Sequence, residues 1–367
     1  YAHPVIGNLS LDANKILYSS DSILGNINHV SVQEKSGLDL QELKTNFAYH
    51  LHGGYLRNLY LKTPSTTLQD GLEVYYTSLD SLQTQMGNML LKVNLKQSVV
   101  GLKDVLIFAP DLRKQDLFKK YGNGQLKLEA ILSGALNQLD INNFYLQGLS
   151  NTLVHVKGKL NGLPESNKIK YNLNILRLQS SAKDVSAFVP KEALQQVRVP
   201  NTFYTTGLVS GTLQDYKTDM IVVSSDGAAT LKGYVYMSPG KGKEKYDLYV
   251  NTRNLNVGKI LRQDSVMGTI TAVITARGQS FDINSMNTVF SGKIQQAMLM
   301  GYNYSTISFD GKMAQKAGEL SLTSNDPNAI LQLQATADLT QKDPAVNAIL
   351  NIGSADLQAL KLYKNEL

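Results

Sequence analysis

The stretch from Asn123 to Gly148, NGQLKLEAILSGALNQLDINNFYLQG, decides the fold class. Leu126 and Leu128 fall on alternate positions, and the charged residues Lys127 and Glu129 stand beside them. This period of two is typical of a β-strand with one apolar and one solvated face. A short break precedes a second run of the same kind. The stretch therefore predicts two neighbouring strands.

The same alternation fills most of the chain. Examples are NMLLKVNLKQ (88–97), KYNLNILRL (170–178) and AILQLQATADL (329–339), each bounded by turn-forming residues. Helical patterns are few and short: 111–122, 181–197, 256–263 and 355–362. VLIFA (105–109) has the length of a core strand. These patterns predict an all-β, mainly antiparallel fold with a few short helices.

A loose recurrence is also visible. Strands run into aliphatic, turn-like segments in YNLNILRLQSSAKDVSAF, YDLYVNTRNLNVGKIL and VNAILNIGSADLQALKL. The spacing is too irregular for a β-helix or a propeller. It favours a β-array extended by successive meanders over a closed sandwich.

Composition limits the possible functions. The chain has 367 residues, 43% of them hydrophobic and 18% charged, so it is a folded chain with room for a substantial core. It contains no cysteine, which excludes disulfides and thiolate metal sites. The net charge of +6 is spread thinly, as on a solvated surface, and predicts no nucleic-acid partner.

Segment boundaries can also be predicted. No run approaches the roughly 18 apolar residues of a membrane-spanning helix, so no transmembrane segment is predicted in this chain. The chain opens on YAHPVIGNLSL, without a start methionine or a signal peptide, and is interpreted as an excised segment. We expect two segments of a β-groove, 1–115 and 116–367, with one groove continuous across this boundary as the alternative.

Groups that could carry chemistry are sparse. His50 and His52 are two residues apart on a predicted strand, but YHLHGG supplies no carboxylate to complete a metal site. GLVSG has its serine one place too late for a nucleophile elbow, and no phosphate-binding loop occurs. The chain has 19 tyrosines and no tryptophan, which favours cross-strand packing over a sugar-binding platform. We predict no enzyme activity, no metal and no cofactor.

Three passages carry a family resemblance: HVSVQEKSGLDLQELKTNFAYHLHGGYLRNLYLKTPSTTLQDGLEVYY (29–76), LYVNTRNLNVGKILRQDSVMGTITAVITARGQSFDINSMN (248–287) and MGYNYSTISFDGKMAQKAGELSLTSNDPNAILQLQATADL (300–339). In their order of elements they resemble the AsmA-like superfamily and, within it, the TamB (translocation and assembly module) family. The abundance of Asn, Gln and Lys is similar to that of Bacteroidetes members.

The resemblance implies an elongated, curved, open β-sheet groove, a "β-taco", with an aliphatic concave face. It implies an inner-membrane anchor outside this chain, a periplasmic location, and passage of phospholipid between inner and outer membranes. It also implies a TamA-type outer-membrane barrel as partner, through regions outside this chain. Two alternatives stay open: a scaffold for outer-membrane protein assembly, and a surface adhesin or glycan-binding β-protein.

The shortage of helices agrees with such a groove. A sheet with one apolar face must cover that face, either with a second sheet or by curling around a guest such as an acyl chain. Alternation alone selects the residues predicted to line the groove and bind phospholipid acyl chains. They are Leu91, Val93, Leu95, Leu126, Leu128, Leu132, Leu173, Ile175, Leu231, Val235, Ile270, Ile274, Ile307, Phe309, Leu331, Leu333, Leu350 and Ile352.

Overall fold

Alternating apolar and polar residues form strands along most of the chain. A computed structural model describes residues 6–34, 37–189, 194–195, 197–237, 240, 242–340 and 345–363, without the side chains of residues 82 and 83. Strands account for 66% of the structure, they pair antiparallel and the sheet is open. The predicted fold class is therefore confirmed.

The chain divides into two compact units, Tyr1–Val189 and Pro190–Leu367. The boundary predicted at 115/116 lies inside the first unit, in the connection between its sixth and seventh strands. The predicted division stays a prediction.

The first unit is an antiparallel meander in which every strand pairs with the next one in sequence. Its strands are β1 (Ile6–Tyr18), β2 (Ser22–Glu34), β3 (Asp39–His50), β4 (Gly53–Lys62), β5 (Thr67–Tyr75), β6 (Leu90–Gly101), β7 (Gln125–Ala135), β8 (Gln138–Gly148), β9 (Thr152–Asn161) and β10 (Lys170–Ser181).

The second unit repeats this arrangement. Its strands are β11 (Thr202–Thr212), β12 (Asp215–Ser224), β13 (Gly227–Tyr236), β14 (Lys245–Asn256), β15 (Met267–Gln279), β16 (Asn287–Leu299), β17 (Tyr302–Ala314), β18 (Ala317–Asp326), β19 (Ala329–Asp338) and β20 (Ala345–Ala355).

In the described part of the chain, the helices with printed bounds lie in the connections between strands. They are α1 (Leu79–Thr84), α2 (Leu102–Phe108), α3 (Asp116–Tyr121), α4 (Ala182–Val185) and α5 (Val257–Leu261), with single 3₁₀ turns at Met86–Asn88, Pro110–Lys114 and Ser166–Lys168.

Several local predictions need correction. The segment VLIFA (105–109) is helical rather than a strand. The chain leaves the sheet at Gly101 and continues as α2, whose first residue, Leu102, is buried at 3% exposure. The helix predicted over 111–122 is split into a 3₁₀ turn and α3. The helix predicted over 355–362 is replaced by the last residue of β20 and by hydrogen-bonded turns over 357–361. Part of the helix predicted over 181–197 lies outside the described residues.

Aspartates anchor two of these helices to hairpin loops at the ends of the strands. Asp104 and Asp184 are each the third residue of a helix that follows a strand, α2 after β6 and α4 after β10. The Oδ2 atom of Asp104 accepts hydrogen bonds of 2.6 Å from three hydroxyl groups in the loop between β4 and β5, those of Thr63, Ser65 and Thr66. We call such a contact, between the end of a strand and the preceding hairpin loop, an edge cluster.

The edge cluster of Asp184 lies around the loop between β8 and β9. Asp184 is 0% exposed and accepts hydrogen bonds from Tyr121 Oη at 2.5 Å, Asn151 N at 2.7 Å and Thr152 Oγ1 at 2.8 Å. Burial by itself raises the pKa of Asp184, but these hydrogen bonds, with a further one from Ser150 N, outweigh it and hold the pKa below its ordinary value. The same balance lowers the pKa of Asp104.

Two further edge clusters follow at intervals of four strands. After β14, the third residue of α5 is Lys259, whose Nζ lies 3.7 Å from Oδ1 of Asp226 in the loop between β12 and β13. At the end of β18, Asp326 accepts hydrogen bonds of 2.7 Å from Tyr302 Oη and Ser305 N, at the start of β17. The edge clusters thus close at β6, β10, β14 and β18, at intervals of four strands. Two of the three recurring segments in the sequence, those of β10 and β14, coincide with this repeat, whereas the third runs through β20 and lies outside it.

Candidate functional site: an apolar face in each unit

One face of the first unit carries rows of apolar side chains that cross neighbouring strands. Residues directly opposite in an antiparallel pair project from the same face, so the strand registers define each row. One row, in strand order from β5 to β10, consists of Leu72, Val93, Leu132, Ile141, Gly158 and Leu173. The next consists of Leu95, Ala130, Phe144, Val156 and Ile175 on β6 to β10.

A bulge in β6 keeps these rows continuous. Leu95 lies opposite Ala130, and the next aligned residue is Ser98, opposite Leu128. Gln97, inside the bulge, has a φ of 48°. The extra residue shifts the parity of the strand, so Ser98 and Val100, rather than Gln97 and Val99, continue the apolar face.

The second unit has an apolar face of the same construction. Its longest row, in strand order from β12 to β20, consists of Met220, Leu231, Val250, Ile274, Gly292, Phe309, Leu322, Leu333 and Leu350. The adjacent row includes Ala272, Ile294, Ile307, Leu331 and Ile352.

Every predicted groove residue lies on one of these two faces. In the first unit they are Leu91, Val93, Leu95, Leu126, Leu128, Leu132, Leu173 and Ile175. In the second unit they are Leu231, Val235, Ile270, Ile274, Ile307, Phe309, Leu331, Leu333, Leu350 and Ile352. That they line a lipid groove stays a prediction.

Glycines that the sequence analysis left out also belong to these faces. Gly292 lies opposite Phe309, and a Cβ atom on Gly292 would approach Phe309 Cζ to 2.5 Å. Gly311 lies opposite Phe290 in the same way. The ring centroids of Phe290 and Phe309 are 6.2 Å apart. Each ring therefore covers the glycine on the neighbouring strand. Glycine at an apolar position of an alternating strand was the signal that could have revealed this packing.

The apolar faces have little protein cover. Of the predicted groove residues only Leu95, Ile175 and Val235 are buried, at 7%, 9% and 7% exposure. The largest fully buried side chains are polar: Asp184, Asp326, Ser98 and Ser280. In the described part of each unit, strands contact chiefly their sheet neighbours, and short helices pack against β6, β10 and β15.

The opposite face of each sheet is polar and paired. In the second unit, ion pairs join neighbouring strands: Lys232 with Asp219 at 3.0 Å, Arg277 with Asp247 at 2.5 Å, and Lys312 with Glu319 at 2.7 Å. In the first unit, the Arg57 guanidinium donates two hydrogen bonds to Glu73 and lowers the pKa of that carboxyl. These charges remain hydrated and keep the polar face in water.

Asparagines form a ladder on the polar face of β1 to β4. Asn58 Nδ2 donates to Asn46 Oδ1 at 2.6 Å, and Asn46 Nδ2 donates to Asn26 Oδ1 at 2.5 Å. Asn26 Nδ2 continues the ladder to Asn14 Oδ1 at 3.2 Å. Each inner amide both donates and accepts, so the ladder holds four strands in register.

Three of the five histidines have structural partners in the described part of the chain. His52 Nδ1 lies 2.6 Å from the Thr77 carbonyl oxygen, and the His50 ring lies 6.0 Å from that of Tyr75. His155 Nε2 lies 3.0 Å from Asn143 Oδ1. Within the described residues, no three His, Cys, Asp or Glu side chains are grouped so that they could hold a metal ion.

A depression of about 590 Å³ lies over β17 to β20. Its lining includes Asp310, Glu319 and Gln334, which are on the polar face. Glu319 is paired with Lys312, and neither a histidine nor a cysteine lines the depression.

Comparison with known proteins adds no assignment. No protein-family model matches the chain, and neither the curated proteins nor the solved structures gave a match. Of the helices in the described part of the chain, none combines the length and the apolarity needed to cross a bilayer. The resemblance to AsmA-like proteins stays a prediction.

Proposed function

We propose that the apolar faces of the two units bind acyl chains, and that the chain is part of a non-enzymatic conduit for phospholipid. The observation that carries this proposal is the continuity of the apolar rows across neighbouring strands, together with the incomplete burial of most of their residues in the described part of each unit. Each methylene group removed from water onto such a face contributes about 0.8 kcal/mol.

The dimensions of the rows fit this guest. Strands lie about 4.8 Å apart, so the row from β12 to β20 is about 40 Å long. One leaflet of a bilayer has a hydrocarbon thickness of about 15 Å, half of its ~30 Å core. A row of this length can therefore contact more than one acyl chain along its course.

The chemistry of the row favours a guest without fixed polar groups. The row from Met220 to Leu350 contains only aliphatic, aromatic, methionine and glycine residues. A polypeptide guest would bring backbone amides, which need partners when they leave water. An alkyl chain has no such requirement.

Envelope location and partners follow from the resemblance to AsmA-like proteins. We place the conduit in the periplasm, between inner and outer membranes, with a TamA-type barrel as partner through regions outside this chain. The scaffold and adhesin alternatives predict different ligands: unfolded barrel strands for the first, glycans for the second.

Photo-crosslinking in cells tests the proposal. Leu128 and Ile270 lie on the apolar faces, whereas Lys127 and Thr271 are their sequence neighbours on the polar faces. A photoreactive residue at Leu128 or Ile270 is expected to capture phospholipid, and one at Lys127 or Thr271 is not. Equal labelling on both faces would contradict acyl binding.

Mass spectrometry of the purified protein separates the alternatives. We expect phospholipid in an organic extract of the native protein. Lipid-free protein that binds unfolded barrel strands would favour the scaffold, and lipid-free protein that binds a glycan array would favour the adhesin.

A further inference from the structure

The connection between β6 and β7 carries an exposed aromatic ring. It reads LKDVLIFAPDLRKQDLFKKYGNG (102–124) and contains α2, a 3₁₀ turn and α3. Leu102, the first residue of α2, is 3% exposed, whereas Phe108, the last, is 75% exposed. No other phenylalanine in the described part of the chain is as exposed. The helix thus holds its first residue in the protein and presents its last to solvent.

A second exposed ring belongs to the same ends of the strands. Every second strand of an antiparallel meander runs in the same direction, so β6 and β10 both finish at this end. α4 follows β10, and Phe188, three residues beyond α4, is 59% exposed. Lys120 Nζ donates to Ser186 Oγ at 3.1 Å, and Tyr121 Oη donates to Asp184. These contacts tie α3 to α4 and its following turn.

Positive charge dominates the same segments. Their cations are all exposed and are Lys103, Arg113, Lys114, Lys119, Lys120 and Lys183. Their exposed carboxylates are Asp111 and Asp116. The other two, Asp104 and Asp184, point into their edge clusters. We call residues 102–121 and 182–188 the aromatic–basic tip.

Half of these cations lack a carboxylate partner or lie beside one turned inward. Asp111 and Asp116 are each paired at 3.1 Å with the lysine three residues further on. Arg113, Lys120 and Lys183 form no ion pair with any residue that the structure describes. Charges without a partner in the protein are available to an anionic surface.

The opposite end of β6 lacks this charge. α1 lies between β5 and β6, so it stands at the other end of β6. Leu79, its first residue, is 53% exposed, but residues 76–89 contain neither lysine nor arginine. An exposed apolar side chain by itself is common on soluble proteins. The combination of exposed rings with unpaired cations distinguishes the aromatic–basic tip from α1.

We propose that the aromatic–basic tip is a membrane-surface contact, in which Phe108 and Phe188 enter the headgroup layer of an anionic bilayer while the cations bind lipid phosphates. A bilayer offers a negative surface for Lys and Arg and an apolar layer just below it for aromatic rings. A free polyanion would bind the cations but leave both rings in water. The contact lies outside the apolar faces, so it does not rest on acyl binding.

A single tryptophan reports on this contact. The chain contains no tryptophan, so Phe108→Trp supplies the only indole. With vesicles of phosphatidylcholine and phosphatidylglycerol in equal parts, we expect its emission to shift to the blue and to be quenched by brominated acyl chains. Leu79→Trp, the matched control, is expected to show neither change. No response of Phe108→Trp, equal responses of the two variants, or an equal response to phosphatidylcholine alone would overturn the proposal.

Vesicle cosedimentation of the full chain tests the charges. Arg113→Gln combined with Lys183→Gln removes two unpaired cations and is expected to weaken binding to the anionic vesicles at least about tenfold. Lys157→Gln combined with Lys217→Gln removes two exposed cations from the polar faces. We expect this control to change binding less than about twofold, because those charges lie away from the contact. Equal weakening by both pairs would overturn the contact in favour of net charge.

Phe108→Ser separates this contact from acyl binding. We expect it to weaken vesicle binding at least about fivefold, because the ring no longer leaves water, and to leave binding of a dissolved pyrene-labelled phospholipid unchanged. Circular dichroism checks that all variants fold. Loss of pyrene-lipid binding as well would assign the effect to the apolar faces and overturn the proposal. Vesicle binding without any pyrene-lipid binding would support the membrane contact while contradicting the proposed acyl binding.

A soluble polyanion provides the last comparison. Binding of polyglutamate by the parent chain, with no binding of the anionic vesicles, would overturn the membrane contact in favour of an acidic protein partner.

Discussion

Lys259 Nζ lies 3.7 Å from Asp226 Oδ1, so in this edge cluster the loop carries the carboxylate that the helix carries in the clusters of Asp104 and Asp184. In the clusters of Asp104 and Asp184, the helix supplies the carboxylate and the loop supplies hydroxyl and N–H donors. After β14, the helix supplies the cation and the loop supplies the carboxylate. The same position in the repeat thus ties a helix to a loop through two different chemistries.

The hydrogen bonds of Asp184, which is buried, are expected to stabilise the fold more than the ion pair of Lys259. In Asp184→Asn, an amide replaces the carboxylate and points one N–H group at donors such as Tyr121 Oη and Asn151 N. We expect the free energy of unfolding to fall by about 3 kcal/mol, as for a buried charged acceptor lost from its donors. Urea unfolding followed by circular dichroism measures the change.

The ion pair between Lys259 and Asp226 provides the matched control. The Lys259 side chain is 43% exposed and its Nζ lies 3.7 Å from Asp226 Oδ1, so this ion pair is longer and more hydrated on the lysine side than the contacts of Asp184, although the Asp226 side chain is only 8% exposed. We expect Lys259→Gln to lower the free energy of unfolding by less than about 1 kcal/mol. A loss as large as that of Asp184→Asn would show that burial does not decide the strength of these contacts.

Acid is expected to weaken the edge clusters. The pKa values of Asp104, Asp184 and Asp326 lie below the ordinary value, because their hydrogen bonds outweigh the effect of burial. A lowered pKa in the folded state adds stability that is complete above the unfolded pKa, about 3.9, and is lost as the pH falls through the folded value.

Urea midpoints measured between pH 7 and pH 2 test this dependence. We expect little contribution from these three groups to the pH dependence above about pH 5 and a steep loss of stability below about pH 4. Asp184→Asn is expected to flatten that loss. An acid slope identical to that of the parent chain would contradict the assignment of Asp184.

The strand faces could be predicted from sequence because the period of two is a local property. Leu126 and Leu128 share a face whatever their neighbours are, and the registers place them with Leu146 and Val100. The bulge at Gln97 could not be predicted, because one inserted residue reverses the parity without changing composition. Strands β1 and β2 were not predicted from the sequence either.

The edge clusters depend on partners that are distant in sequence. Tyr121 and Asp184 are 63 residues apart, and Thr63 and Asp104 are 41 apart. Alternation predicts neither distance nor contact between such residues. The recurring segments therefore indicated a repeat, but not the carboxylates that close it.

The asparagine ladder is expected to stabilise the first unit through Asn46. This side chain donates to Asn26 and accepts from Asn58, so Asn46→Ala removes two hydrogen bonds. We expect a loss of about 1–2 kcal/mol in the free energy of unfolding. Asn172→Ala, at an exposed position on the polar face of β10, is expected to change it by less than about 0.5 kcal/mol.

Asn46→Asp distinguishes the ladder from simple packing. At neutral pH the carboxylate accepts from Asn58 but cannot donate to Asn26, and two oxygen atoms then face each other. We expect Asn46→Asp to be less stable than Asn46→Ala at pH 7. If the two variants are equally stable, the ladder hydrogen bonds are not what holds these strands.

Ile274 and Val273, which are consecutive in β15, allow the apolar and the polar face to be compared in a binding measurement. Ile274 lies in the apolar row, opposite Val250 and Gly292, whereas Val273 projects from the polar face opposite Lys293. Ile274→Glu places a carboxylate where an acyl chain would remove it from water, a costly transfer for an unpaired charge. Val273→Glu places it beside a lysine in water.

We expect Ile274→Glu to weaken binding of a phospholipid with a pyrene-labelled acyl chain at least tenfold, or about 1.4 kcal/mol, and Val273→Glu to change it less than twofold. Urea midpoints of both variants check that the sheet is intact. Because the two positions are adjacent and aliphatic in the parent chain, equal weakening by both would place the lipid elsewhere than on the apolar face.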